Sequence, residues 1–422
     1  MGGQRTADSA VVVQKFGGSS LAGIDRVKAV ARRVAATRRA GQHPVVVVSA
    51  MGDTTDELLD LAQSVTDTPE AREMDMLLST GEQVSAALLS MALGQLGVPA
   101  VSLTGWQAGI RTDSVHRKAR VKEMDATRLE ALIADGRVPV VTGFQGIAAT
   151  GGITTLGRGG SDLTAVLLAV ALKASACEIF SDVDGIYTAD PRVVPSARKL
   201  ARVSYEEMME LASLGAQVLQ GRAVQFAREH RLTIHARSTF AADTGTLIQE
   251  GDAMEPGGVV TGVTYDPHAA RICLVGVPDR PGVAFGIFVA LSHHNVNVDM
   301  IVQSANRDNV TDMCFTVSRS DLSLALETAH EVAREIGAED VTYDDRVAKV
   351  SVVGAGMADR PGVAATMFQA LAHQKCNILM ISTSEIKVSC LIPDGEVHRA
   401  VRAVHDAFHL SAPVDEHPPA GA

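Results

Sequence analysis

The hexapeptide Asp-Arg-Pro-Gly-Val-Ala occurs twice in this chain, at Asp279–Ala284 and again at Asp359–Ala364. The likeness continues at matching offsets: Asn297-Val298-Asp299-Met300-Ile301 follows the first copy and Asn377-Ile378-Leu379-Met380-Ile381 follows the second. Self-similarity of this kind constrains the fold more than composition does, because both copies must build the same small unit. Each copy reads strand, Pro-Gly turn, amphipathic helix, strand, strand, helix. Pro281 and Pro361 are expected at the helix starts, where a missing N–H has no helical partner to lose. With 422 residues the chain has room for two or three domains of ~150 residues, so the repeats are one part of a larger molecule.

Ahead of the repeats the pattern changes. Val11–Phe16, Val45–Met51, Val138–Phe144 and Cys177–Val183 are β-branched or apolar runs that read as strands buried on both faces. Asp25–Ala40 lies between the first two, with Val27, Val30, Ala31 and Val34 at helical spacing. Strand, helix, strand at these intervals predicts a mainly parallel sheet with helices on both sides. Ligands of such folds sit beyond the carboxyl ends of the strands, where the glycine-rich segments fall. The stretch Gly245–Gly262, rich in Gly and acidic residues around Pro256, reads as a linker.

Composition excludes several classes. At 46% hydrophobic and 21% charged the chain is globular rather than disordered. Its longest apolar runs, such as Val45–Val48 and Val166–Leu172, fall far short of the ~18–20 residues of a membrane span. A net charge of −11 argues against nucleic-acid or membrane-surface binding, and one Trp and four Tyr leave few stacking platforms. Cys177, Cys273, Cys314, Cys376 and Cys390 are odd in number, widely spaced and form no CxxC pair. They are expected to be buried thiols in a reducing cytoplasm. No secretory pattern is expected in the polar, Gly-rich Met1–Ala10.

Three segments carry chemistry. Lys15-Phe16-Gly17-Gly18-Ser19-Ser20 leaves a strand and enters a helix; its glycines allow backbone N–H groups to approach a polyanion, and Lys15 adds a compact cation. The same loop could be only a turn. Gly157-Arg158-Gly159-Gly160-Ser161-Asp162 opens the helix Leu163–Leu172. Ser161 or Asp162 could simply cap it, whereas Arg158 between glycines suits bidentate carboxylate or phosphate recognition. Ser181–Arg192 follows a strand end with turn residues, an aromatic and an Arg. Neither GxxxxGK[ST] nor GxGxxG occurs, which disfavours P-loop NTPases and dinucleotide enzymes.

KFGGSS (Lys15–Ser20), SAMGDTTDE (Ser49–Glu57), STGEQVS (Ser79–Ser85), TTLGRGGSD (Thr154–Asp162) and SDVDGIYTADPR (Ser181–Arg192), in that order, resemble the aspartokinases, the aspartate kinase branch of the amino acid kinase family. The repeats resemble ACT domains, βαββαβ modules that bind amino acids at their interfaces. The resemblance spans roughly Val11–Leu410. It implies an α/β amino acid kinase fold, a mainly parallel sheet sandwiched by helices, followed by two ACT-like domains. The implied division is a flexible tail (1–10), a catalytic domain (11–250), a linker (251–265), ACT-like domains (266–345 and 346–414) and a second tail (415–422). It also implies transfer of phosphate from Mg-ATP to the β-carboxylate of L-aspartate, giving 4-phospho-L-aspartate on the route to lysine, threonine, methionine and diaminopimelate. Such a transfer needs positioning and charge neutralisation more than a covalent partner, and a carboxylate nucleophile needs no general base.

By resemblance, Lys15 bridges the transferring phosphate, Gly17, Gly18 and Ser19 form its cradle, Phe16 and Ser161 contact ATP, and Asp162 orients Lys15 and the Mg²⁺-phosphate cluster. Arg158 holds the substrate α-carboxylate and Glu82 its α-amino group; on its own, Glu82 could equally be a solvated helix carboxylate. Asp53, Thr54, Thr55, Asp56 and Glu57, with Gly159, Gly160 and Ser161, line the aspartate pocket. Ser49, Ser181, Asp182, Tyr187, Thr188, Ala189, Asp190, Pro191 and Arg192 contact ATP, and Mg²⁺ is held by phosphates and water, with no protein metal site. The chain departs from the family pattern at Gln217, where a nucleotide-contacting lysine is usual, and at Trp106, Ser304, Ala305–Val310, Ala358–Arg360 and Leu379. The catalytic set is largely intact and the regulatory half has drifted. For the repeats the implied regulatory residues are Asn297, Val298, Asp299 and Gln303 in the first, and Val363, Ala364, Asn377, Ile378, Ser384 and Glu385 in the second. A homodimer or higher even oligomer joined through them, inhibited by threonine and/or lysine, is expected. Three other readings stay open: a kinase for glutamate or acetylglutamate, a pathway-dedicated paralogue, and an amino-acid sensor with weak activity.

Overall fold

A computed structural model describes residues 10–214, 219–241, 243–251, 258–304, 309–357 and 360–411. The chain forms two compact units. Of the described residues, one unit comprises 10–186, 199–212, 219–241 and 243–251; the other comprises 187–198, 213–214, 258–304, 309–357 and 360–411.

The first unit is built on an eight-stranded sheet in the order β10 (Arg202–Ser204), β12 (Thr246–Gln249), β11 (Ile234–Ser238), β9 (Ala176–Ser181), β1 (Val11–Phe16), β2 (His43–Val48), β6 (Val138–Thr142) and β3 (Ala100–Leu103). All neighbours run parallel except β11 and β12. The central strands are apolar on both faces, as a sheet covered by helices on both sides requires: Val45 to Val48 are wholly buried. A smaller sheet runs β5 (Val121–Met124), β4 (Ile110–Thr112), β7 (Gln145–Ala148), β8 (Ile153–Thr155). The helices of this part of the chain are α1 (Gly18–Leu21), α2 (Ile24–Arg39), α3 (Thr54–Val65), α4 (Ala71–Gln95), α5 (Thr127–Ala134), α6 (Gly160–Ala171), α7 (Tyr205–Ser213) and α8 (Gly221–Glu229). On α2 the expected stripe of Val27, Val30, Ala31 and Val34 is buried. Among the described residues α4 alone is long and apolar enough to cross a membrane; it turns Met74, Leu78, Leu89 and Leu93 inward, together with the carboxylates of Asp75 and Glu82.

The second unit holds two antiparallel four-stranded sheets. The first repeat forms β14 (Ala269–Pro278), α9 (Val283–His293), β15 (Val298–Gln303), β16 (Val310–Ser318), α10 (Leu322–Ile336) and β17 (Asp340–Asp344), with sheet order β15-β16-β14-β17. The second forms β18 (Val347–Val353), α11 (Val363–His373), β19 (Met380–Thr383), β20 (Lys387–Pro393) and α12 (Val397–Ala407). Its fourth strand is β13 (Gly262–Asp266), which lies before the first repeat in sequence and pairs antiparallel with β18. Met300 and Val302 on β15 meet Leu379 and Met380 in one apolar cluster, which seams the two repeats together.

Several expectations are corrected. The linker-like stretch contains two strands. β12 buries Thr246 and Ile248, and β13 begins inside the expected 251–265 linker. Flanking glycines and acids masked these short alternating segments. Pro281 and Pro361 do not open their helices. Gly282 (φ 95°) and Gly362 (φ 104°) occupy the cap in the left-handed region, which pushes each proline one residue outside. The cysteines are not all thiols: Cys273 and Cys314 form a disulfide, while Cys177, Cys376 and Cys390 are buried thiols. The physical reason is register, since β14 and β16 place the two residues directly opposite each other with Cα atoms 4.0 Å apart.

Candidate active site

The site residues of the first unit converge at the carboxyl ends of β1, β2, β6 and β9. β1 ends in Lys15-Phe16, and Phe16 is anchored by stacking on Phe180 of β9, ring centroids 4.9 Å apart. The Gly17 N–H donates to the Phe180 carbonyl, so the chain turns immediately into α1. Gly18 cannot be replaced cheaply: a Cβ there would lie 2.9 Å from the Ala50 carbonyl oxygen and 3.0 Å from that of Gly52. The Gly52 N–H closes the contact on the Gly18 carbonyl at 3.0 Å. Two strand-end loops are thus held backbone to backbone.

Lys15 Nζ lies 2.7 Å from Asp162 Oδ1, and both side chains are about nine-tenths buried, at 11% and 9% exposure. Asp162 Oδ2 accepts the Gln220 N–H at 3.3 Å. Gly159, in the left-handed region at φ 72°, caps α6, which brings Gly160, Ser161 and Asp162 to its first turn. Gly143, just past β6, was not anticipated as a site residue. A Cβ there would sit 2.6 Å from the Ser161 side chain, so the close approach of β6 to α6 depends on glycine. A glycine at a strand end was the only available signal. Arg158 is exposed, and among the described residues no hydrogen bond or ion pair engages it.

Glu82 sits on α4 at 4% exposure, with Oε1 accepting the Ala50 N–H at 3.2 Å. Its other oxygen is buried with no hydrogen-bond partner among the described residues. Burial pushes the Glu82 carboxyl up to about 8, against the opposing pull of its own and the Ala50 backbone N–H groups. A buried carboxylate with an unused oxygen, bonded to a residue of the Gly18 wall, can receive a cation. Ser49 follows β2; Asp53 caps α3, and Thr54, Thr55, Asp56 and Glu57 form its first turn. Ser19 Oγ donates to Asp182 Oδ1 at 3.3 Å, which joins the cradle to the loop after β9.

Other expected site residues lie elsewhere. Tyr187–Arg192 belong to the second unit. Thr188 is fully buried there, with Oγ1 2.9 Å from His405 Nε2 of α12, and its carbonyl accepts the Val263 N–H of β13. Ala189 packs into that unit's core with Val193, Val263 and Leu371. Asp190 is engaged by Arg192 through two near-parallel hydrogen bonds at 3.0 and 2.8 Å, and Pro191 is exposed. Gln217 lies outside the described residues. In the repeats, Gln303 lines a cavity of about 510 Å³ with Val277, Arg280, Val283, Thr311 and Met313. Asp299, expected to offer its carboxylate to an effector, is ion-paired with the buried Lys349 of β18. Asn297 precedes β15, on which Val298 sits, and Val363 and Ala364 open α11. Asn377 and Ile378 precede β19, and Ser384 and Glu385 form the β19–β20 turn.

A mainly parallel sheet with a cation-bearing glycine cradle at its carboxyl ends, together with paired βαββαβ modules, defines an amino acid kinase with ACT domains. The amino acid kinase family matches residues 10–238, and ACT domains match 271–334 and 350–408. The aspartate kinase of Pseudomonas putida is 51% identical over 406 residues, covering 96% of this chain and 98% of that protein. An aspartokinase of Mycobacterium tuberculosis is 48% identical, covering 95% and 96%. Among solved structures, Escherichia coli aspartokinase III in complex with aspartate and ADP superimposes with a TM-score of 0.80 at 26% identity, covering 94% of this chain and all of that one. The chain belongs to the aspartokinase family.

Proposed function

We propose that this enzyme transfers the γ-phosphoryl group of ATP to the β-carboxylate of L-aspartate. The observation that carries the reading is the Lys15–Asp162 ion pair at the mouth of the Gly17-Gly18 cradle, with the buried Glu82 carboxylate behind the same wall. The polyanion would be met on the Gly17 side, where Lys15 Nζ folds back to 3.6 Å from where a Gly17 Cβ would be, while Gly18 lets this loop pack against the Ala50–Gly52 backbone. Mg²⁺ carried on the nucleotide supplies charge neutralisation at the phosphates. In this reading a carboxylate oxygen of aspartate attacks the γ-phosphorus, the bond to the bridging oxygen breaks, and ADP leaves. No proton must move, because the nucleophile is already an anion. Lys15, fixed by Asp162, meets the charge that develops on the transferring group. Arg158, unengaged among the described residues, binds the α-carboxylate, and Glu82 binds the α-ammonium. Ser49, Ser181 and Asp182 serve the nucleotide.

The Escherichia coli enzyme solved with aspartate and ADP supports this assignment of ligands. The functional division follows the kinase domain 11–250 and the ACT-like domains 266–345 and 346–414, with β13 counted to the second of these. The reading makes the enzyme cytoplasmic and its product the entry to lysine, threonine and methionine synthesis. A coupled assay of ADP release tests it: activity is expected with L-aspartate and not with glutamate or N-acetylglutamate. Release with either of those and none with aspartate overturns the reading.

Control is assigned to the repeats. A related structure, Escherichia coli aspartokinase III with lysine and aspartate, supports an amino-acid effector. The Gln303 cavity has the size of a small-ligand site, and the α9 start beside it offers N–H groups to a carboxylate. Phe285 of α9 and Ile301 of β15 remain exposed on the first repeat, at 74% and 50%, which favours a homodimer through this repeat. Threonine, lysine or both are expected to inhibit, with a coupling of about 5–150-fold. Gln303→Ala is expected to raise the inhibitory concentration at least about fivefold, and Asp299→Ala to alter it by freeing Lys349. Full activity at millimolar threonine plus lysine, with no effector heat in calorimetry, reduces the repeats to an assembly module.

A further inference from the structure

We propose that Asp75 is a positioning residue for the aspartate site, holding Glu82 and Arg158 at the separation that fits one amino acid; the proposal rests on the aspartate-kinase reading above. Asp75 is wholly buried on α4. Asp75, Ser79 and Glu82 follow one another at i, i+4 and i+7, so all three face the same side of the helix, and all three are buried. The carboxylate gathers donors from two other segments. Thr155 Oγ1 donates to Oδ1 at 2.6 Å, the Arg117 N–H reaches both oxygens at 3.1 Å, and His116 Nδ1 lies 2.8 Å from Oδ2. Ser79, one turn on, adds its carbonyl to Gln145 Nε2 at 2.9 Å.

Two of these ties bear on Arg158. Thr155 ends β8 three residues before it, and the Thr155 carbonyl accepts the Ala119 N–H at 2.9 Å. Arg117 is held in the left-handed region at φ 69°, a conformation that a non-glycine residue keeps only where its surroundings enforce it. Its carbonyl oxygen would lie 3.2 Å from a Cβ at Gly157, the residue before Arg158. The Asp75 carboxylate therefore secures both walls of the Arg158 loop and belongs to the helix that carries Glu82. No substrate atom needs to touch it. Its effect is geometric: if the tie loosens, the two ends of aspartate no longer meet their partners together.

The experiment is steady-state kinetics on the full chain with each substrate varied separately. Asp75→Ala is expected to raise the aspartate KM about ten- to a hundred-fold and to move the ATP KM by no more than about twofold, since displacement of a positioning group by an ångström has costs of that order. Thr155→Val, which deletes one donor at nearly constant volume, is expected to shift the aspartate KM in the same direction by less. Asp75→Asn should recover most of the loss, because its carbonyl still accepts from Thr155 and Arg117. An unchanged aspartate KM in Asp75→Ala, or equal rises for both substrates, overturns the proposal. If Asp75→Ala does not fold, Thr155→Val decides: no selective rise in its aspartate KM is fatal. Arg158→Ala separates the two levels. If it raises the aspartate KM while Asp75→Ala does not, only the positioning role fails; if it leaves the aspartate KM unchanged, the underlying site reading fails with it.

Discussion

Lys15→Ala is expected to lower kcat by about 10²–10³-fold, the usual loss when one preorganised charge is removed from a reacting phosphate. The size follows from burial. The Lys15 side chain is 11% exposed and its Nζ is already bound to Asp162, so little reorganisation is needed when charge develops beside it. The variant strands the Asp162 carboxylate, so thermal unfolding should be measured alongside. Lys15→Ala with Asp162→Asn removes that unpaired charge and should recover stability without recovering turnover. A folded Lys15→Ala enzyme that keeps more than about a tenth of wild-type kcat defeats the assignment.

The aspartate KM is expected to fall as pH rises towards 8, by up to about tenfold per pH unit, and to level off above that. In the free enzyme burial holds the Glu82 carboxyl at about 8, well above its ordinary 4.5, so it carries a proton at neutral pH. An ammonium group arriving at the site favours the ionised carboxylate, and binding therefore releases that proton. Below pH 8 the release is driven by rising pH; above it the proton is already gone. Calorimetry in two buffers of different ionisation enthalpy counts the proton directly. Glu82→Gln should bind aspartate weakly and lose the pH dependence. A KM that stays flat between pH 6 and 8, with no proton released, refutes the role. The same shift has an opposite consequence for the unliganded fold. Between 4.5 and about 8 the folded state retains a proton that the unfolded chain has given up, so stability declines as pH rises through that window.

What was legible in the sequence was local. Lys15 before consecutive glycines, and Arg158 between glycines at a helix start, announce themselves within a few residues: paired glycines permit close backbone approach, and a cation set among them calls for an anion. The parallel sheet was legible on similarly short range, since two-face burial forces continuous valine runs such as Val45–Val48. What escaped was non-local. Asp75 looks like any helix carboxylate until β8 brings Thr155 to it. Cys273 and Cys314 are paired only by the β14–β16 register. Thr188 and Ala189 read as loop residues, yet they are built into the second unit because β13 and α12 close over them. Pro281 lies two residues before the first helical residue, Val283, because the left-handed Gly282 takes the cap, a choice that letter order alone does not disclose.

β13 has a further consequence for how the protein is made. Its partner β18 lies on the far side of the entire first repeat, so during synthesis at about 5–20 residues per second β13 emerges roughly 4–17 s before the edge it must join. In that interval the first repeat can fold as a closed insertion, while the sheet of the second repeat still lacks β18 and β20. A gene fragment beginning at Ala269 would contain every letter of both repeats and still yield an incomplete second one, with β18 bare along one side and open to strands of other chains. The shortest faithful regulatory fragment therefore starts upstream of Gly262.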